Sequence, residues 1–74
     1  MADTFSHNIV EQYGVLSTAK SGWNTEFNLV AWGNYEPKYD IRPWSPTHDK
    51  MGKGITLTRE ELSELRNILN KMDL

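Results

Sequence analysis

WGNYEPKYDIRPWSPTHDKMGKGITL, residues 32–57, holds two of the three tryptophans and four of the eight basic residues of the chain. Gly33 and Asn34 open a tight connection that ends at Pro37. An alternating run from Lys38 to Trp44 then reads as a strand. Pro46 opens a loop over Ser45–Lys53, and Gly54–Leu57 reads as a short further strand. Rings interleaved with Lys and Arg on a sheet suit a single-stranded nucleic acid, because bases find flat faces and phosphates find positive charge.

Downstream, Thr58 and Glu61 stand in the spacing of a capping box. Glu60 and Glu61 also suit the positive end of a helix dipole. Leu62, Leu65, Ile68, Leu69 and Met72 recur at three- and four-residue intervals, so they form one apolar stripe. Arg59, Glu60, Glu64, Asn67 and Lys71 fall elsewhere and are read as solvated. Upstream, Ile9–Ser17 is rich in β-formers and predicts a first strand. Ala19–Thr25 carries turn residues, and Phe27–Trp32 predicts a second strand. Residues 1–8 are expected to form a loosely attached end. The predicted order is ββββα, an α+β fold with an antiparallel sheet in a single domain.

Side chains alternate across a strand. Phe27, Leu29 and Ala31 share one face with Tyr39, Ile41 and Pro43, and this apolar set is expected to pack on the helix stripe. The opposite face collects Asn28, Val30 and Trp32 with Lys38, Asp40, Arg42 and Trp44. Tryptophans that alternate with cations suggest a ligand platform at Trp32 and Trp44. Trp23, alone in a turn, is read as a packing anchor. Lys50 and Lys53 suit either a solvated loop or a phosphate contact, and Gly52 and Gly54 permit close backbone approach or a left-handed turn around Lys53.

Composition removes several classes of function. With no cysteine, disulfides and thiolate metal sites are excluded. His7 and His48 are too few for a usual structural zinc site, and no cofactor is expected. No apolar run is long enough for a membrane-spanning helix, and the acidic N-terminus does not resemble a secretory signal. A cytoplasmic setting follows by default, nucleoid-associated in a bacterium. Asp40, Asp49, His48 and Glu36 form no catalytic pattern, and Met-Gly-Lys-Gly is not a P-loop, so an enzyme is not expected. The net charge is −2, but Lys38–Gly54 is locally positive and 58–74 locally negative. Phosphate affinity should then be salt-sensitive. A chain of 74 residues is marginal as a lone monomer, which favours a homodimer.

The succession FNLVAW, YDIRPW, GKGITL and TREELSELRNIL resembles the single-stranded-DNA-binding domain of the transcriptional coactivator positive cofactor four family, nearest its small bacterial, YdbC-like members. The resemblance runs from about Phe27 to Lys71. It implies a curved four-stranded antiparallel sheet with a C-terminal helix. It also implies a homodimer built through the helices, with Leu62, Leu65, Ile68, Leu69 and Met72 at the interface. Trp32 stands where the family's base-stacking aromatic lies. Arg42 and Trp44 match the Arg and Trp of the family motif, Lys53 its Lys before the fourth strand, and Lys50 a looser position. Pro43 alone separates Arg42 from Trp44, where the human-type member has an additional residue. GNYEP replaces a lysine-rich connection, so fewer phosphate contacts are implied. The serine- and lysine-rich tail of that member has no counterpart in these residues, and its regulation is not carried over.

The expected function is largely sequence-independent single-stranded DNA binding, with an accessory role in transcription, replication or repair. Trp32, Lys38, Arg42, Trp44, Lys50 and Lys53 are the expected contacts. A protein-interaction module that uses the tryptophans as anchors, or an RNA chaperone, are the alternatives, since stacking hardly distinguishes the sugars.

Overall fold

The computed structural model describes residues 7–74. Strand β1 spans His7–Thr18, β2 Asn24–Trp32, β3 Lys38–Trp44 and β4 Ile55–Leu57, followed by helix α1 over Arg59–Lys71. The four strands form one sheet in the order β1-β2-β3-β4, every neighbour antiparallel. Among the described residues, no helix is long and apolar enough to cross a membrane.

Two strands exceed their predicted limits. Asn24, Thr25 and Glu26 pair with Trp44, Pro43 and Arg42, so β2 begins earlier than its apolar run. His7 and Asn8 pair with Trp32 and Ala31. The loose end expected over residues 1–8 is therefore ordered strand at its last two positions, and the rest lies outside the described residues. Three register shifts along β1 mark bulges, which bend and twist a strand.

The return from β3 to β4 runs close beside β3. Gly52 N–H donates to the Pro43 carbonyl at 2.9 Å, and Met51 bridges to Trp44. A side chain at Gly52 would sit 2.7 Å from Pro43 Cγ, and one at Gly54 would run into Arg42 Cβ and the Ile41 carbonyl. Close approach is thus the reason for both glycines. Neither is left-handed; among the described residues that conformation belongs to Gly22, Gly33 and His48.

The helix starts as the sequence predicts. Thr58 Oγ1 accepts from the Glu61 N–H at 3.1 Å, and the Thr58 N–H donates to Glu61 Oε1 at 2.8 Å. The two faces of the sheet, however, are covered differently from expectation. Helix α1 buries none of its residues. Leu62 and Leu65 are half-buried and Ile68, Leu69 and Met72 exposed. An open groove of about 510 Å³ remains between α1 and the sheet, with Phe27, Tyr39, Ile41, Leu62, Leu65 and Leu69 among its walls. Among the described residues, the fully enclosed apolar ones, Val30 and Trp44, lie on the opposite face. The stripe thus faces the sheet across this groove through Leu62, Leu65 and Leu69 without closing on it.

Candidate nucleic-acid interface

The cross-strand pairs Asn24–Trp44, Glu26–Arg42, Asn28–Asp40 and Val30–Lys38 put these eight residues on the face away from α1. Trp32 continues that face at the end of β2. The aromatic and cationic groups there form a chain. The His48 ring lies 5.7 Å from Trp44, Trp44 5.2 Å from His7, and His7 6.0 Å from Trp32 between centroids. The Arg42 guanidinium carbon sits over the Trp32 ring, 4.6 Å from its centroid, within cation–π range.

Beneath this chain is a buried polar layer. Asp40 is 0% exposed and Asn28, Glu26 and Ser45 are buried. Arg42 Nε and Nη2 each donate to Asp40 at 2.8 Å, and Nη1 donates to Met51 Sδ at 3.4 Å. Glu26 accepts from Asn28 Nδ2 at 3.0 Å and meets His48 Nε2 at 2.9 Å. A buried carboxylate needs such partners, because an unpaired charge out of water is strongly unfavourable. Asn28 Oδ1 and the indole Nε1 atoms of Trp32 and Trp44 are buried without a partner among the described residues.

The β3–β4 loop is fixed at its base. Ser45 N–H donates to the Lys50 carbonyl at 3.0 Å, and the Lys50 N–H donates to Ser45 Oγ at 3.1 Å. Ser45 Oγ and Thr47 Oγ1 both donate to Asp49 Oδ1. The hydrogen bond from Thr47, then that from Ser45, holds the Asp49 carboxyl below its ordinary range. Lys50 and Lys53 project from this loop exposed, as does Lys38 at the start of β3. Among the described residues, none of the three forms an ion pair.

The expected site residues therefore separate. Trp32 and Arg42 come together, and Trp32 remains half-buried. Trp44 does not join them as an open platform: it is 0% exposed, shut in by the rings of His7 and His48. Arg42 is not a free cation, since Asp40 occupies its fork. Glu26 and His48 join this face as structural members that the sequence does not mark. Alternation placed Asp40 beside Arg42, but nothing in the sequence marked the carboxylate as buried. Tyr35 stands 75% exposed in the β2–β3 connection.

The fold and this face define a class: small ββββα proteins with an aromatic and basic sheet surface. Residues 19–68 match the family of Transcriptional Coactivator p15 (PC4), and the chain belongs to that family, which binds single-stranded DNA and is not catalytic. A protein from Treponema pallidum (strain Nichols), described as uncharacterized, is 47% identical over 72 residues, covering 97% of this chain and 85% of the relative.

Proposed function

We propose that this protein binds single-stranded DNA with little sequence preference, as a homodimer, in an accessory role in transcription, replication or repair. Trp32 stacks on a base. Lys38, Lys50 and Lys53 neutralise phosphates. Trp44 supports the face from beneath. The setting is wherever single strands are exposed, the cytoplasm or the nucleoid of a bacterium. The observation that carries this reading is the half-open Trp32 ring, with Lys38 at the start of β3 and Lys50 and Lys53 in the β3–β4 loop exposed and without an acidic partner among the described residues. Family membership supports it.

The dimer rests on the bare helix. Helix α1 buries none of its residues fully in its own chain, and Ile68, Leu69 and, at its C-cap, Met72 stand exposed to water. A second copy of α1 laid in the groove beside Phe27, Tyr39 and Ile41 would remove that surface.

Anisotropy of labelled oligo-dT, oligo-U and duplex DNA at several salt concentrations tests the function. Oligo-dT should bind, weakening steeply with salt, and duplex should bind less well. Tighter binding of oligo-U would transfer the same physics to RNA. No binding of either single strand at low salt by folded protein would overturn the proposal.

A further inference from the structure

Arg42 is placed to act by its shape more than by its charge. Both Nε and Nη2 are committed to Asp40 at 2.8 Å, and Asp40 is completely buried. Withdrawing the guanidinium to reach a phosphate would strand that carboxylate without its counter-ion, a strongly unfavourable change. The stem is held as well, because the Gly54 backbone approaches Arg42 so closely that no Cβ fits between them. Met51 Sδ meets Nη1 at 3.4 Å. The head is nevertheless not sealed: the Arg42 side chain keeps 15% of its exposure. It rests over Trp32, so one face of that ring is already taken.

We infer that Trp32 and Arg42 form one composite stacking platform, with Asp40 as its positioning residue, and that a base of the bound strand stacks on this unit while Arg42 stays on its carboxylate. The inference rests on the single-strand reading of this face and deepens it. A guanidinium held in a bidentate fork offers a fixed plane to a base, as a lysine ammonium cannot. A platform assembled before binding also spares the cost of ordering it afterwards.

Asp40→Asn separates this role from a phosphate contact, because the two predict opposite signs. The substitution removes a negative charge from the binding face and releases Arg42. A phosphate-binding Arg42 would then bind oligo-dT as well or better. A composite platform loses its anchor, and oligo-dT affinity should fall about fivefold or more with the slope of log K against log salt unchanged. Should Asp40→Asn fail to fold by circular dichroism, Arg42→Lys carries the same test, since it keeps the charge and loses the fork. The expected result is again weaker binding at an unchanged slope. Wild-type binding together with undiminished affinity in the folded variant would overturn the inference alone. Absence of wild-type binding would overturn the single-strand reading and the inference with it.

Discussion

Glu26 Oε2 lies 2.9 Å from His48 Nε2, joining the middle of the sheet to the loop that carries Lys50 and Lys53. Glu26 is buried and His48 occupies a left-handed backbone conformation at φ 63°. A non-glycine residue is held there only when its surroundings compensate, and the bond to Glu26 is one such compensation. It fixes the loop over Trp44.

His48→Ala should therefore destabilise the fold by about 1–3 kcal/mol, the usual cost of leaving a buried polar group short of a partner. Asn28 still donates to Glu26, which favours the lower end. Urea denaturation checks this. An unchanged midpoint would show that solvent replaces His48 without loss.

Trp44→Ala should act on stability before it acts on binding. Removing a fully buried tryptophan costs about 3–5 kcal/mol, which is most of what a small domain has. Far-UV circular dichroism should show a largely unfolded variant, while Trp32→Ala stays folded. A folded Trp44→Ala protein with a selective loss of oligo-dT binding would return Trp44 to the stacking role that its sequence position suggests.

The outcome at Trp44 shows where sequence reading stops. Alternation in β2 and β3 correctly put Trp32, Arg42 and Trp44 on one face, away from the helix. It could not say which face is covered, because one covering ring, His7, is distant in sequence and the other, His48, reaches Trp44 only through the turn of its loop. The Thr58–Glu61 box was legible because capping is local. The length of β2 was not, because Asn24 and Glu26 are poor strand formers on average and, with Thr25 between them, are held by Trp44, Pro43 and Arg42 across the sheet. Asp40 and Arg42 were visible as neighbours on a face, but their spacing suits a motif and an ion pair equally. The helix stripe was legible as a stripe, while the surface it meets is a property of more than one local segment.

Lys53→Ala should reduce the salt dependence of oligo-dT binding. Each phosphate neutralised on a single strand contributes about 0.7 to the slope of log K against log salt, so the slope should fall by roughly that amount per site. Titrations across a salt series read it directly. An unchanged slope and affinity would make Lys53 an ordinary solvated side chain.

Leu69→Glu should disrupt self-association. Leu69 is 44% exposed in one chain and lines the groove beside α1, so a carboxylate there would be buried in the proposed dimer at a high cost. Sedimentation of the wild type at micromolar concentration should give about twice 8.6 kDa, and the variant should shift toward monomer with weaker DNA binding. A wild-type monomer that still binds oligo-dT would remove the dimer and leave the stacking mechanism in place.

The central claim is that a base stacks at Trp32, and the indole N–H resonances of the three tryptophans test it most directly. Oligo-dT is titrated into nitrogen-labelled protein, with the Trp32 signal assigned from Trp32→Phe. The Trp32 resonance should shift progressively and saturate with the binding curve, while that of enclosed Trp44 moves much less. Saturable DNA binding with an unmoved Trp32 resonance would contradict the account.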